Sequence, residues 1–437
     1  MLTSFLRILQ GYKFRDLKML KLRDRLLRNG SDYQAIRSLC EIFAARNLVR
    51  EAYNAAKLLP KAELRECAQY LRPVTEIPEK MAAVIELITK CNLKCPICFH
   101  GQYYNTTYDK LNEVMSFDNF KIIWGKISAR VSLADFVGQG ETFLHPDIYR
   151  ILDYTGNVPL HIDTNGTIPI NADRIVGDRP STLIFSVDGV DQRTYALYRI
   201  NGSFDKVVEN IKNIVNVKRE KAANYPKIIF KYILFKHNEM YLPQARELAK
   251  ELGVDDFRLE SCISRSSLPI EITKKYLPCG KNSKHRVAYI DYGNQRTIPP
   301  AGADGAYCSN FLKTFSVLVD GSVGPCCANV FERRLGNLFC QSFEEIWMSP
   351  EYVQFRETAI SNCYNDIACR DCTLPRRKAL KRIFDNTALA YPSPPPASRN
   401  VLVPLELAID ENYADYLRQE GLTNELNYFI KSGKYKS

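Results

Sequence analysis

Residues 83–98 run Ala-Val-Ile-Glu-Leu-Ile-Thr-Lys-Cys-Asn-Leu-Lys-Cys-Pro-Ile-Cys. The first seven, Ala83–Thr89, are apolar and β-branched enough to predict a strand. The rest predict a loop that carries Cys91, Cys95 and Cys98 within eight residues. A structural zinc site wants four ligands, usually from paired knuckles. An ordinary four-cysteine cluster wants a fourth thiolate. Cys98 is followed by Phe99-His100-Gly101, and the next cysteine is Cys262. Three thiolates without an evident fourth describe a metal site with an open coordination position.

Working outward, the strand is the first of six. Apolar runs at Ala83–Thr89, Ala134–Val137, Leu160–Asp163, Leu183–Val187, Ile228–Leu234 and Phe257–Glu260 alternate with helical stretches near 118–128, 147–154, 171–176, 205–219 and 241–251. Repeated β–α units of this length imply an α/β fold with a parallel sheet and right-handed crossovers, open or curled into a barrel. In either form the chemistry collects at the carboxyl ends of the strands. The cysteine loop sits at such an end.

Upstream, residues 1–78 read as helices, with Ile36, Leu39, Cys40 and Phe43 on one face and Leu48, Ala52, Ala55, Ala56 and Leu59 on another. Asn29-Gly30-Ser31-Asp32 breaks one helix and caps the next. Downstream lie an irregular connector, a cysteine-rich segment, a basic knot of Arg376, Arg377, Lys378, Lys381 and Arg382, and a proline-rich linker over 391–404. Residues 405–428 suggest amphipathic helices. The expected division is 1–78 helical extension, 79–265 barrel, 266–307 connector, 308–375 auxiliary domain and 376–437 tail.

The 437 residues, 46% hydrophobic and 25% charged, are those of an ordinary globular protein. No run of 18 uncharged apolar residues is present, so no membrane span is expected. No secretory signal is visible at the amino terminus, which sets the expectation of a cytoplasmic protein. Residues 1–30 hold eight Lys or Arg against Asp16 and Asp24, within a formal net charge of +11. Such basic patches suit an anionic substrate or carrier, although a solvated helix face is the simpler account. Interleaved aromatics with basic glycine repeats, the mark of RNA binding, do not occur.

The fourteen cysteines bunch, with seven between Cys308 and Cys372. In a long chain, close spacings point to metal or redox chemistry more than to disulfides. Cys308, Cys326, Cys369 and Cys372 could hold zinc or a cluster on spacing alone. Residues 317–323, with Asp320-Gly321, predict a β-hairpin between the first two. Cys40, Cys67, Cys262, Cys279 and Cys340 read as buried small apolar residues.

Cys-x3-Cys-x2-Cys after a first strand resembles the motif of the radical S-adenosylmethionine (radical SAM) superfamily. That resemblance implies a partial (β/α)6 barrel. In it Cys91, Cys95 and Cys98 hold three irons of a [4Fe-4S] cluster, and the fourth iron binds S-adenosylmethionine. Electron transfer then yields a 5′-deoxyadenosyl radical that removes a hydrogen atom from substrate. Gly138-Gln139-Gly140-Glu141-Thr142 resembles the family's Gly-Gly-Glu-Pro segment, matching fully only at Gly140 and Glu141. Asp163-Thr164-Asn165-Gly166 is similar to its Thr-Asn-Gly, and Ser186-Val187-Asp188-Gly189 to its segment that contacts the cofactor's ribose and carboxylate, with Arg199 as an implied carboxylate partner. The implied cofactor contacts are Gly140, Glu141, Thr164, Asn165, Ser186, Asp188 and Arg199.

The later segment, with Cys-x12-Gly-x4-Cys, Gly336-Asn337-Leu338 and Phe343-Glu-Glu-Ile-Trp347, resembles the SPASM extension. The resemblance implies one auxiliary [4Fe-4S] cluster on Cys308, Cys326, Cys369 and Cys372, with Cys327 and Cys363 as competing candidates. A reducing partner such as flavodoxin or ferredoxin is implied too. Two substrate classes stay open: a sugar or aminocyclitol-like small molecule, oxidised with the auxiliary cluster as electron acceptor, and a peptide or protein undergoing maturation. A nucleic-acid-modifying or non-catalytic iron–sulfur protein is a third. His145 and Glu260 stand nearest the expected mouth as general-base candidates.

Overall fold

All six expected strands lie side by side in sequence order. The computed structural model describes residues 17–45, 49–60, 63–64, 67–98, 112–177, 180–261, 275–276, 289–291, 296–298, 310–326 and 333–362. Strands β1 (Met81–Ile85), β2 (Val131–Phe136), β3 (Leu160–Thr164), β4 (Thr182–Ser186), β5 (Lys227–Leu234) and β6 (Asp256–Ser261) are parallel throughout. The connector contributes a separate antiparallel pair, β7 (Tyr289–Asp291) and β8 (Arg296–Ile298).

The hairpin predicted at 317–323 forms from β9 (Thr314–Val317) and β10 (Ser322–Gly324), with β11 (Gly336–Asn337) beside it. It joins the main sheet: β9 runs parallel to β1, giving nine strands in the order β11-β10-β9-β1-β2-β3-β4-β5-β6. The hairpin leading to Cys326 is therefore part of the same sheet as the first cysteine loop.

Three helices, α1 (Leu17–Arg28), α2 (Tyr33–Ala45) and α3 (Val49–Ala56), precede the sheet, with a short α4 at Arg72–Thr75. The anticipated cap is present, since the Ala35 amide donates to Asp32 Oδ1 at 3.0 Å. The helices then alternate with strands: α5 (Phe117–Ile127), α6 (Ile148–Tyr154), α7 (Ala172–Ile175), α8 (Gln192–Ala196), α9 (Phe204–Glu220) and α10 (Leu242–Glu251). Among these, sequence reading missed α8, a single turn closed by a reciprocal cap between Asp191 and Thr194. Helices α11 (Phe343–Trp347) and α12 (Pro350–Asn362) follow the hairpin. No helix among the described residues is long and apolar enough to cross a membrane.

One face of the sheet packs on the helices. Ile85, Phe136, Ile162, Phe185, Phe230, Tyr232 and Phe315 are all fully buried in that core. Each such side chain contributes about 1.5–3 kcal/mol by leaving water. Helix α9 supplies Val207, Ile211, Ile214 and Val215 at helical spacing. Its one buried polar residue, Asn210, donates to the Gly166 and Ile168 carbonyls at 2.8 and 2.9 Å and accepts from the Ile170 amide at 3.1 Å. It thereby pins the loop that leaves β3.

The first strand ends four residues earlier than the sequence suggests. After Ile85 the chain turns away from β2 and pairs with 113–115: the Met115 amide donates to the Leu87 carbonyl and the Thr89 amide to the Glu113 carbonyl, each at 2.9 Å. That departure delivers Cys91–Cys98 over the strand ends.

Candidate active site

Cys91, Cys95 and Cys98 cluster with Leu93, Ile97, Tyr198, Phe235 and Tyr276 in a small core of their own. The loop is fixed by the Cys98 amide on the Cys95 carbonyl at 2.9 Å and by the Lys94 amide on the Ile200 carbonyl at 3.0 Å. Three N–H donors approach the sulfurs. Leu93 N lies 3.5 Å and Asn165 Nδ2 4.0 Å from Cys91 Sγ, and Arg199 Nη1 lies 3.8 Å from Cys95 Sγ. Such donors stabilise thiolate sulfur.

Burial pushes the Cys91 thiol up to about 11, and the Cys95 thiol to about 12 against the opposing pull of Arg199. Isolated thiolates are disfavoured here, so a bound cation is needed to hold them ionised. Among the described residues no three His, Cys, Asp or Glu side chains converge on a single metal ion. A cluster takes one thiolate per iron, so its ligands need not meet at a point. The donor set, its N–H partners and the apolar wall around it fit an iron–sulfur cluster.

Beside this loop, Gly140 presses against β1's continuation. A Cβ there would collide with the carbonyls of Ile88 and Lys90, so only glycine lets the backbone so close. The Glu141 amide donates to the Lys90 carbonyl at 2.9 Å. The Glu141 side chain is buried and turned inward: Oε1 accepts from Thr164 Oγ1 at 2.7 Å and the Phe143 amide at 3.1 Å, and Oε2 from the Asn165 amide at 2.6 Å. Burial raises its carboxyl above the usual range, and these donors oppose the shift. Asn165 in turn donates to Asn92 Oδ1 at 2.9 Å, and Asn92 to Thr167 Oγ1 at 2.8 Å. The β1, β2 and β3 loops thus form one hydrogen-bonded unit.

The fourth strand end completes the site. Ser186 is buried at the end of β4. Asp188 adopts a left-handed backbone (φ 56°) and is fully buried. Its Oδ1 accepts from the Ile233 amide at 2.6 Å, and its Oδ2 from Arg199 Nε at 2.7 Å and from Arg199 Nη2. Asn238 Nδ2 holds the Asp188 carbonyl at 3.1 Å. Burial works against the Arg199 charge, but Asp188 outweighs it and holds the guanidinium protonated well above its usual range. Arg199 therefore enters the site as the partner of Asp188 and of Cys95 sulfur.

All seven residues expected around the cofactor lie at the ends of β2–β4 or, for Arg199, just after α8. Of the auxiliary candidates only Cys326, just after β10, is described; Cys308, Cys327, Cys363, Cys369 and Cys372 lie outside the described residues, as do Cys262, Cys279, the basic knot and the tail. Cys40 and Cys67 are buried as expected. Cys340 is not: it sits exposed in the turn after β11, its amide on the Asn337 carbonyl at 3.2 Å. His145 is buried with both ring nitrogens engaged, Nε2 2.8 Å from the Met115 carbonyl and Nδ1 3.1 Å from the Asp147 amide, and burial lowers its pKa. It serves the loop's architecture.

Sequence reading overlooked three participants. Asn92 stands inside the cysteine motif, where only the Cys pattern drew notice. Glu86 breaks the apolar first strand; its Oε1 accepts from the Gln139 amide at 3.0 Å and its Oε2 from the Val319 amide at 3.4 Å, tying the Gly138–Glu141 turn to the hairpin. Lys231 interrupts β5 and pairs with Asp163. A charge in the middle of a buried strand was the available signal for the last two.

Comparison with known proteins places the same landmarks. Residues 85–249 match the radical SAM superfamily, and residues 308–373 match SPASM, an iron-sulfur cluster-binding domain. The antilisterial bacteriocin subtilosin biosynthesis protein AlbA of Bacillus subtilis (strain 168) is 25% identical over 293 residues, 63% of this chain and 61% of AlbA. This match spans less than two thirds of AlbA. The tungsten-containing aldehyde ferredoxin oxidoreductase cofactor-modifying protein of Pyrococcus furiosus is 24% identical over 332 residues, 66% of this chain and 86% of that protein. Among solved structures, Streptococcus suis SuiB bound to S-adenosylmethionine has a TM-score of 0.49 at 13% identity, covering 76% of this chain and 83% of SuiB. BtrN in complex with AdoMet and 2-DOIA has a TM-score of 0.41 at 14% identity, covering 68% and 94%.

Proposed function

Since the chain belongs to the radical SAM superfamily and carries a C-terminal SPASM domain, we propose that Cys91, Cys95 and Cys98 are the thiolate ligands of its radical-generating cluster and that the enzyme oxidises a small polar molecule. Its cofactors are [4Fe-4S] clusters and S-adenosylmethionine. When bound, they supply reductive cleavage of S-adenosylmethionine to a hydrogen-abstracting 5′-deoxyadenosyl radical.

The observation that carries the reading is the single network linking the cysteine loop to Glu141, Thr164 and Asn165, with Asp188 and Arg199 closing the far side. In this reading Gly140 keeps the backbone close to the cofactor, and Glu141 fixes the Thr164 and Asn165 backbone that faces it. Ser186, Asp188 and Arg199 frame the ribose side, with Arg199 also stabilising Cys95 sulfur. Leu93, Ile97, Tyr198, Phe235 and Tyr276 exclude water from the sulfurs. Cys308, Cys326, Cys369 and Cys372 would hold the auxiliary cluster, which would supply an acceptor for the substrate electron. A flavodoxin or ferredoxin supplies the reducing electron.

A second reading, modification of a peptide, is favoured by the 25% identity to a bacteriocin biosynthesis protein. Product analysis separates the two. Anaerobically reconstituted protein should hold about eight irons per chain, four for each [4Fe-4S] cluster. About four irons would remove the auxiliary cluster and the oxidative reading with it. Turnover should give a product two electrons more oxidised than its substrate; a crosslinked peptide product would favour the second reading.

A further inference from the structure

Helix α12 carries a charge that plays no part in the cysteine-loop site. Arg356 is fully buried. Its Nε donates to the Val74 carbonyl on α4 at 3.0 Å. The guanidinium carbon lies 4.5 Å from the centre of the Trp347 ring and 4.9 Å from that of Tyr352. Those rings touch each other, with centres 4.7 Å apart. Nη1 and Nη2 have no hydrogen-bond partner, and neither has the Tyr352 hydroxyl.

A buried guanidinium ordinarily answers to a carboxylate. Among the described residues none pairs with Arg356. Glu357, the next residue along the helix, bonds Tyr53 and Lys57 instead. Glu51, the buried carboxylate of α3, does not act on it, and the group that favours its charge is the Tyr352 hydroxyl. Burial lowers the guanidinium pKa to about 10, which leaves it protonated at neutral pH. Two ring faces and one carbonyl offset part of the cost of taking a full charge out of water. The remainder calls for an anion nearby.

The surroundings supply one. Arg356 lies within the iron-sulfur cluster-binding match over 308–373. Burial raises the Tyr352 hydroxyl, Arg356 pulls it back and Cys326 pushes it further up, so the ring is within electrostatic reach of both. Cys326 is one expected ligand of the auxiliary cluster. Beyond Asn362, where α12 ends, Cys363, Cys369 and Cys372 follow in the sequence. The helix that carries Arg356 is thus flanked by both halves of the expected ligand set. A [4Fe-4S]2+ core held by four thiolates is a dianion, and one added electron makes it a trianion.

We infer that Arg356 is the buried counter-charge of the auxiliary cluster and holds its reduction potential up. The guanidinium acts through its field, across the Tyr352 and Trp347 rings. No direct hydrogen bond is involved, because Nη1 and Nη2 are closed off from anything that enters. A fixed cation stabilises the trianion more than the dianion, so it favours the one-electron step from [4Fe-4S]2+ to [4Fe-4S]+. An electron acceptor needs a shift in that direction. The inference rests on the auxiliary-cluster reading given under the proposed function.

The test uses the full chain carrying Cys91→Ala/Cys95→Ala/Cys98→Ala, reconstituted anaerobically so that it holds the auxiliary cluster alone. EPR during a mediated titration with dithionite, which supplies the electron, reads the midpoint potential. Arg356→Gln and Arg356→Met both remove the charge. Gln keeps a donor for the Val74 carbonyl, and Met keeps hydrocarbon against the rings. Each should lower the reduced-to-oxidised ratio about tenfold, a fall of about 59 mV for a one-electron couple. That is the scale of one charge felt over about 12 Å at an effective dielectric of about 20. Arg356→Lys keeps the charge and should stay within about threefold of the parent, even though it loses the planar fork and its denaturation midpoint falls.

An unchanged potential in either neutral variant, an equal fall in Arg356→Lys, or a rise would overturn the counter-charge. Should both neutral variants lose their iron while Arg356→Lys keeps about four per chain, the charge is needed to hold the cluster and the inference stands. Loss of iron from all three would make Arg356 a packing residue and overturn it. Fewer than about four irons in the parent protein would remove the auxiliary cluster itself, and the inference with it.

Discussion

At the carboxyl ends of β1–β4 the buried polar groups are the carboxylates, hydroxyl and amide of Glu141, Asp188, Thr164 and Asn165, with the largely buried Arg199 guanidinium bound to Asp188. In the helical layer of α1–α3 the buried groups are mostly hydrocarbon and thiol, Leu22, Leu26, Ile36, Leu39, Cys40, Phe43 and Ala55 among them, packed as a separate cluster, with Glu51 its one buried charge among the described residues. Its other charges, such as Arg25 with Asp32, stay toward the surface. A core built for stability alone buries apolar surface and leaves ions in water. The strand-end loops do the reverse, which is where function is expected to outweigh stability.

Substitutions at the two regions should therefore fail differently. The largest effect is expected at Glu141. Replacing it with Leu leaves the Asn165 amide and the Thr164 hydroxyl without their acceptor, about 1–3 kcal/mol for each. 5′-Deoxyadenosine formation should fall about 100-fold or more, since two such losses reach about 3 kcal/mol. A fall smaller than about threefold would show that the buried carboxylate is merely tolerated.

Leu39→Ala tests the opposite region. A cavity at this fully buried position should cost about 2–5 kcal/mol, read as a lowered denaturation midpoint. Cleavage per folded molecule should stay at the wild-type level. A selective loss of cleavage would mean that the helical layer feeds the active site.

Glu86→Gln probes the seam between the cysteine loop's strand and the hairpin. The side-chain NH2 that replaces one carboxylate oxygen cannot accept, so either the Gln139 or the Val319 amide loses its acceptor and about 1–2 kcal/mol of positioning is lost. S-adenosylmethionine affinity should weaken about tenfold while the helical layer's unfolding is unchanged. Unaltered affinity would unlink the hairpin from the cofactor turn.

The smallest effect belongs to Asp32. Its carboxyl is held below the usual range by the Ala35 amide it caps and by Arg25. A depressed pKa adds stability above the unfolded value of about 3.9, and this is lost as pH falls through the folded value. Asp32→Ala should cost about 1 kcal/mol at neutral pH, and the difference from wild type should vanish in acid. A difference that grows on acidification would contradict the cap.

Much of this was legible in the residues. The six strands, the helices between them other than α8 and the cap at Asp32 followed from periodicity and turn chemistry, because local patterning and tertiary placement agree there. The early end of β1 did not, since Leu87 and Thr89 look like strand residues and only their partners at 113–115 pull them aside. The joining of β9 to β1 was equally hidden, being a contact between segments more than 200 residues apart. Within the site, motif spacing located Glu141, Asn165 and Asp188. It did not indicate that Asp188 is bound by Arg199, nor that Asp163 reaches across β4 to Lys231, because both depend on which side chains the sheet brings together.

The central claim is that Cys91, Cys95 and Cys98 hold the cluster that cleaves the cofactor. The direct measurement is 5′-deoxyadenosine formed from S-adenosylmethionine and dithionite by the anaerobically reconstituted Cys91→Ala/Cys95→Ala/Cys98→Ala protein. The account predicts no 5′-deoxyadenosine, together with an iron content reduced from about eight to about four per chain. Retained cleavage by the triple variant would contradict it.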